Sequence, residues 1–484
     1  MYQQLISYGE SDVYPFHMPG HKRRALPFPN PYTIDITEID GFDNLHHAEG
    51  LIREAEERAA ELYGADRSYY LVNGSTCGLL AAICAAARRG DKVLAARNCH
   101  KAVYHAVSMQ GLAVEFLYPA ITRGDLQGQI TAAQVEEALT KHPDIAVVIL
   151  TSPTYEGIVS DVAAIAACCH AHGAALIVDE AHGAHFGFGA GFPENAVRLG
   201  ADAVIMSLHK TLPSFTQTAL LHCNGTRIDP GRVARYLGVY ETSSPSYLFM
   251  AGMDACIDLI REQGAELFAQ YRRRLDAFYR DTANHTQLHV MRREDLCKEE
   301  AYDWDDSKLI IYAGTMGGEA LHQELLGHYH LQMEMVSADY VLGMTSLMDT
   351  DEGMQRLVTA LHEIDEKNRR MAEPHETAEE NRKTELDGEV PEAGFTARMY
   401  RKNPRRMQIY QALDLPYREV PLDEAVGKMA ADYVYLYPPG IPLIVPGEVI
   451  TEEFIRHIRE CRERKLNVEG QGNLAPGRIK IVYF

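Results

Sequence analysis

Two short apolar runs, each halted by a cluster of polar groups, lie near the middle of this chain and constrain its fold more than any other feature. Leu176–Val178 ends at Asp179 within LIVDEAHG, and Ala203–Met206 ends at Ser207, His209 and Lys210 within AVIMSLHK. Continuous apolar runs bounded by turn signals suit strands buried on both faces, the kind found in parallel sheets. In open α/β sheets ligands bind beyond the carboxyl ends of such strands. The pattern therefore predicts an aspartate and a lysine delivered to one sheet edge by neighbouring strands.

The flanking sequence extends the theme. A helix is expected over Leu51–Tyr63, ended by Gly64. A strand over Ser68–Val72 then turns through Asn73-Gly74-Ser75-Thr76-Cys77-Gly78 into a helix of small apolar residues. Strand-like Lys92–Ala96, Ala113–Tyr118 and Ile145–Leu150 alternate with helical Lys101–Met109, Thr131–Lys141 and Asp161–His172, and Thr218–Cys223 continues the series. Such alternation means a mostly parallel sheet covered by helices, an α/β fold. The first residues, with Pro19 and Gly20 in FHMPGHKRR, read as irregular. A long helix is expected from Leu248 to Asp281, followed by mixed α/β sequence. Glu373–Glu392 is acidic, holds Pro374 and Pro391, and reads as a linker or a solvated helix. These shifts divide the chain into 1–247, an N-terminal segment with the large sheet domain; 248–370, a helix and smaller α/β segment; 371–395, an acidic linker; and 396–484, a C-terminal α+β domain.

A length of 484 residues implies two or three domains, and the net charge of −21 argues against nucleic acid or an anionic membrane as partner. An acidic surface favours approach of cationic substrates. The nine cysteines show no C-x-x-C pair; Cys77, Cys84, Cys168 and Cys169 fall on small-residue helices, where thiols act as small apolar groups. Reduced cysteines, the lack of a signal pattern and the lack of a membrane-length apolar run lead to the expectation of a cytoplasmic protein without a metal site.

An aspartate and a lysine on neighbouring strand ends is the arrangement that pyridoxal phosphate (PLP) requires, the lysine for a Schiff base and the aspartate for the pyridinium nitrogen. Lys210 follows an apolar strand and precedes TLPSFTQTALL, where few charges are near. Apolar surroundings disfavour its charged form and help it act as a nucleophile. Lys22 in GHKRR and Lys101 in NCHKAV also follow a histidine, but no aspartate-ended strand shortly precedes either. A buried Asp179 needs a counter-charge, which a protonated ring nitrogen supplies. Glu180, next in the chain, would point to the opposite face. Gly74, Ser75 and Thr76 sit where a strand turns into a helix, the geometry for an anion held by backbone N–H groups and hydroxyls. Ser207 and His209 add donors to such a phosphate cup, and His100, ending KVLAARNCH, is placed where an imidazole could stack on a cofactor ring.

The motifs HMPGHK, NGST, RNCHKA, TSPTYEG, VDEAHG, SLHK, TSSPSY and YPPGIPLIVPGE occur in this order over nearly the whole chain. Together they resemble the Orn/Lys/Arg decarboxylase family, fold-type-I PLP enzymes with an aspartate-aminotransferase-like core. The resemblance implies that Lys210 carries the cofactor as a Schiff base, that Asp179 faces its pyridine nitrogen, and that His100 stacks on its ring with Ala181 packed beneath. It implies that Ser75, Thr76, Ser207 and His209 bind phosphate and that His182 sits beside the site. It also implies a homodimer with active sites at the interface, where Thr242–Ser244, Ser244 in particular, reach the neighbour's phosphate. The chain begins almost at HMPGHK and has DEAHG where the large acid-stress enzymes carry an aromatic residue after DEA. It therefore resembles the shorter arginine decarboxylases of Gram-positive bacteria, so a dimer or small even oligomer is expected.

What the resemblance implies chemically is decarboxylation of a basic L-amino acid, arginine to agmatine first, with lysine or ornithine as alternatives. Lys210 or His209 would return a proton to Cα. An aminotransferase or aldolase on the same fold, and a non-catalytic regulator, stay open as other classes. The distal cation of such a substrate needs a carboxylate or aromatic partner, for which Asp40, Asp43 and Glu448 are candidates.

Overall fold

The computed structural model describes all residues except 25, 27, 372–394, 401, 437–439, 465, 471–476 and 484. Its centre is a seven-stranded sheet made of β1 (Arg67–Leu71), β2 (Lys92–Ala96), β3 (Ala113–Leu117), β4 (Ile145–Thr151), β5 (Ala175–Asp179), β6 (Ala203–Met206) and β7 (Ala219–Cys223). The order across the sheet is β1-β7-β6-β5-β4-β2-β3. Neighbours β3, β2, β4, β5 and β6 pair in parallel, whereas β7 is antiparallel to both β6 and β1. All five residues of β5 and all four of β6 are buried, as their unbroken apolar sequences predict.

Helix α1 (Gly74–Ala86) is nearly all Gly, Ala, Leu, Ile and Cys because it lies inside the protein, with Leu79, Ala82, Ile83 and Cys84 buried. A Cβ at Gly78 would stand 2.6 Å from Leu71 Cδ1, so only glycine lets the helix lie this close to β1. Local capping fixes other helix starts. The Thr131–Gln134 capping box opens the helix Ala132–Lys141, and Asp161 accepts the N–H of Ala164 at 3.0 Å to open Val162–Ala171.

Helix α2 (Lys101–Gln110) packs against α1, and the long helix α3 (Tyr247–Asp281) leads into a four-stranded antiparallel sheet of His289–Val290, Lys308–Tyr312, Tyr340–Met344 and Met335–Val336. The N-terminal stretch differs from expectation. Tyr2–Glu10 is a helix, and Tyr14–Phe16 is a strand parallel to Leu331–Met333. The helix buries none of its residues and so has no apolar stripe to betray it, and three residues are too few to show an alternation.

The C-terminal residues form an α+β unit. Tyr417–Pro421 pairs with Arg478–Val482, Val434–Leu436 lies between Ile441–Ile444 and Val468–Gly470, and the helix Glu452–Glu463 covers them. Val434, Ile444, Phe454, Ile458 and Ile481 share a separate apolar core. The expected linker, 371–395, falls almost wholly outside the described residues, as does part of the YPPGIPLIVPGE motif. This unit is joined to the central sheet by Arg97, which is buried beyond β2. Its guanidinium donates to Pro442 O at 2.6 Å and lies 3.5 Å from the buried carboxylate of Glu448.

The PGHK segment braces the turn that carries Lys210. Gly20 N–H donates to His209 O at 2.7 Å, and a Cβ at Gly20 would stand 2.7 Å from Leu212 O and 2.9 Å from Thr211 C. Lys22 is fully engaged as a structural cation: its buried ammonium donates to Pro15 O (3.0 Å), His17 O (3.0 Å) and Met344 O (2.6 Å). Those three carbonyls belong to the N-terminal strand segment and to the strand Tyr340–Met344, so one side chain ties the two together, two residues from the Gly20 that meets the Lys210 turn. The expected outcome of Gly20→Ala is a loss of roughly 1–3 kcal/mol, from the backbone shift needed to admit one methyl group, measured as a lowered urea midpoint. An unchanged midpoint would show that the contact yields freely.

Candidate active site

Asp179 and Lys210 reach the same edge of the sheet because β5 and β6 are adjacent and parallel, with Asp179 opposite Ile205. Asp179 ends β5, while β6 passes through Ser207 into the single helical turn Leu208–Thr211. The Asp179 carboxylate is buried and accepts one hydrogen bond, from Ala181 N–H at 3.2 Å. No salt bridge within 4.0 Å reaches it among the described residues. Burial pushes its proton affinity up, and the field of Lys210 opposes that rise. Glu180 turns away from this edge and accepts the N–H of Ala196 at 3.0 Å.

Lys210 Nζ lies 3.0 Å from Nε2 of His182, a contact that sequence reasoning placed only as neighbourhood. Burial holds the Lys210 amine below its ordinary value, against the pull of Asp179 and Glu334. The His182 imidazole is driven well below its ordinary range, first by burial and then by Lys210, so the ring that meets Lys210 is neutral. The ring of Tyr155 packs on His182 with centroids 4.7 Å apart. Tyr155 OH donates to Glu334 Oε1 at 2.6 Å, and Glu334 Oε2 accepts Met18 N–H at 2.8 Å. Tyr155 belongs to the TSPTYEG motif, whereas no local signal singles out Glu334.

The turn into α1 has an anion-binding form. Gly74 adopts φ +74°, and Ser75 Oγ lies 2.6 Å from Ser207 Oγ, joining the end of β1 to the end of β6. Asn73, at the N-cap, makes no side-chain hydrogen bond to the first turn. The leading N–H groups of a thirteen-residue helix are thus left without the side-chain partner that Thr131 and Asp161 give other helices. Thr76 is exposed beside Ser75. Upstream, Glu241 fixes the strand end by accepting Val72 N–H at 3.3 Å.

His209 uses one ring nitrogen, Nδ1, on Thr218 O at 2.8 Å, and burial lowers its value to about 4. The ring is therefore neutral with its proton on Nδ1. His100 caps α2 by accepting Ala102 N–H at Nδ1, 3.2 Å away, and burial, aided by Lys210, lowers it to about 3. Ala181 is buried directly after the Asp179–Glu180 pair. Ser244 stands exposed, its N–H bonded to Thr242 Oγ1 at 3.2 Å, and among the described residues no hydrogen bond joins it to the rest of the site.

The three carboxylates considered for a distal cation are placed elsewhere by the structure. Asp43 accepts N–H groups of Glu49, Gly50 and Ile52, closing the turn before the helix Leu51–Tyr63. Glu448 is taken by Arg97, Asn403 and Val445 N–H. Asp40 is exposed. Lys101 lies 5.9 Å from the Tyr435 ring centroid, and Lys22 is held by its three carbonyls, so Lys210 alone of the three His-Lys lysines lies at the β5–β6 edge.

The chain matches the family model described as Orn/Lys/Arg decarboxylase, major domain, over residues 1–292, and that of the family's C-terminal domain over residues 395–470. It is 32% identical to an arginine decarboxylase of Halalkalibacterium halodurans, covering 97% of this chain and 94% of that one. It is 30% identical to an arginine decarboxylase of Bacillus subtilis, covering 100% and 97%. The inducible lysine decarboxylase of Escherichia coli is 22% identical over 93% of this chain and 74% of its own length. Among solved structures, a lysine decarboxylase of Francisella novicida superposes with a TM-score of 0.78 at 19% identity, over 99% of this chain and 80% of that chain. A ureidoglycine–glyoxylate aminotransferase of B. subtilis superposes with a TM-score of 0.56 at 15% identity, over 73% and 93%, which extends the likeness of fold to aminotransferases. With a match to the major-domain model across well over half its length, the chain belongs to the Orn/Lys/Arg decarboxylase family.

Proposed function

We propose that this enzyme decarboxylates L-arginine to agmatine with pyridoxal phosphate, and that Lys210, Asp179, His182, His100 and the Ser75–Ser207 turn do the work. The observation that carries the reading is the buried Asp179 carboxylate beside a desolvated lysine, with no salt bridge of its own among the described residues. Arginine is favoured over lysine because relatives named arginine decarboxylase are about 30% identical across nearly the full chain, whereas the inducible lysine decarboxylase is 22% identical.

The residues fit the cofactor. A pyridinium proton would give Asp179 the partner it lacks, and the leading N–H groups of α1, with Ser75, Thr76 and Ser207, would hold a phosphate. Bound there, pyridoxal phosphate supplies an aldehyde for an amine and a ring that draws electrons from the bond to the carboxylate. Lys210 would provide the tethering amine, and burial favours the uncharged form that a nucleophile needs. Asp179 would hold the proton on the ring nitrogen. His100 would cover one face of the ring and Ala181 the other. Ser244, with Thr242, would serve the phosphate of a neighbouring subunit in a homodimer. That assignment, like the division into 1–247, 248–370, 371–395 and 396–484, is part of the proposal.

Once CO2 has left, Cα must gain a proton. His209 is poorly suited, because its one proton is committed to Thr218 O and its basicity is low. Lys210 is the better donor: in its ammonium form it carries a proton it can give to Cα, and the contact with His182 Nε2 positions the amine. Among the described residues no helix is long and apolar enough to cross a membrane.

The deciding experiment supplies the purified full chain and pyridoxal phosphate with arginine, lysine and ornithine separately and identifies the amine formed. Arginine is expected to show a kcat/KM at least about tenfold higher than the others, a difference of ~1.4 kcal/mol; a preference for lysine would overturn the assignment. Lys210→Ala is expected to lower kcat on the order of 1,000-fold or more, and borohydride reduction should label wild type but not that variant. Asp179→Asn is expected to lose on the order of a hundredfold in kcat while still taking up cofactor, as read from visible absorbance.

Burial also sets the response to acid. His100 (about 3), His209 (about 4) and His222 (about 3) are neutral in the fold but protonate near pH 6.5 once unfolded. Between those values the unfolded chain binds more protons than the folded one, so stability falls as pH drops from about 6.5 toward 4. The urea midpoint is expected to decline over that window, before most carboxylates titrate. A flat midpoint between pH 7 and 5 would show that these imidazoles are not held neutral.

A further inference from the structure

A cleft of about 660 Å³ lies between the smaller sheet and the C-terminal unit. Glu156 and Glu334 stand in its wall with Gln127, Tyr340, Tyr400 and Met335. Neither carboxylate has a salt bridge within 4.0 Å among the described residues. Glu156 accepts Tyr340 OH at 3.2 Å, and burial raises its proton affinity, with no basic side chain among the causes. Glu334 accepts Tyr155 OH and Met18 N–H, which fixes its orientation and leaves its charge without an ion-pair partner. Two half-buried carboxylates facing one cleft, neither in a salt bridge, while the arginine in the lining, Arg464, is paired with Glu460 at 3.1 Å, mark a place where a further cation binds.

The cleft also has the right connection to the chemistry. Glu334 is linked by a hydrogen bond to Tyr155, whose ring packs on His182, which contacts Lys210 Nζ. Glu334 is thus two side chains removed from the amine, and its field is felt at Lys210. A basic amino acid joined at the Lys210 end would extend its side chain toward this wall. The aromatic rings of Tyr340 and Tyr400 add faces suited to a flat guanidinium.

We propose that Glu156 and Glu334 together receive the distal cation of the substrate, with Tyr340 and Tyr155 holding the two carboxylates in place. The assignment rests on the reading of Lys210 as the reactive end. It replaces Asp40, Asp43 and Glu448, whose carboxylates are exposed or already engaged. Two carboxylates set in one wall offer a planar guanidinium two parallel hydrogen bonds and a second counter-charge; an ammonium uses only the charge.

The test measures binding of agmatine, which has the distal guanidinium but no α-carboxylate, to the full chain with its cofactor by calorimetry, alongside n-butylamine, which has no second cation. Glu334→Gln and Glu156→Gln are each expected to weaken agmatine at least tenfold and to leave n-butylamine unchanged. Tyr340→Phe, which removes only the hydrogen bond to Glu156, is expected to weaken agmatine severalfold and serves should a glutamine variant fail to fold. Wild-type agmatine affinity in folded forms of both glutamine variants would overturn the proposal. Equal weakening of n-butylamine would also overturn it, by showing general damage to the site. Agmatine binding that depends on both glutamates in a protein that releases no CO2 from arginine would instead strike the decarboxylase reading and leave the cation site standing.

Discussion

The site rests on one electrostatic constraint: a carboxylate and an amine are held at the ends of adjacent buried strands, where water cannot screen them. Each ionised form is penalised by burial and each partly relieves the other, so Asp179 is pushed up and Lys210 down. The sheet sets their separation. Because β5 and β6 are parallel and in fixed register, the Asp179 and Lys210 backbones cannot approach or separate without breaking strand pairing on both sides. The remaining features supply what this pair needs: an uncapped helix start beside it, neutral imidazoles around it, and a braced turn beneath it.

The imidazoles show how burial selects chemistry. His100 and His209 each precede a lysine in sequence and His182 comes two residues after Glu180, yet all three are kept neutral by desolvation and by the proximity of Lys210. Each has one ring nitrogen assigned by a contact: to Ala102 N–H, to Lys210 Nζ and to Thr218 O. His100 and His209 therefore carry their protons on opposite nitrogens, which separates a ring that caps a helix from one anchored to a backbone carbonyl.

Much of this arrangement was legible in the sequence because parallel strands are buried on both faces and so appear as unbroken apolar runs. Lys92–Ala96 and Ala203–Met206 coincide with β2 and β6, and Leu51–Tyr63 is the helix that its Gly64 stop predicts. The ends of those runs pointed to Asp179 and Lys210. Less legible were features that depend on distant chain segments meeting. Nothing local distinguishes Lys22 as a cation caged by Pro15, His17 and Met344 carbonyls, or pairs Tyr14–Phe16 with Leu331–Met333. Glu448 looked available for a ligand because its partner, Arg97, lies far away in sequence. Glu334 was passed over for the converse reason: it follows a strand of three residues and acquires meaning only through Tyr155 and His182.

Arg97 and Glu448 carry one more implication. Both ions are almost completely removed from solvent, one rooted at the end of β2 and the other in the C-terminal unit. Were the last ninety or so residues to detach, a guanidinium would be stranded inside the main body with its acidic mate gone, a far costlier state than parting two apolar faces. The closing portion of the polypeptide is consequently an integral wall of the enzyme and not a removable appendage, and shedding it would compromise the interior of its host.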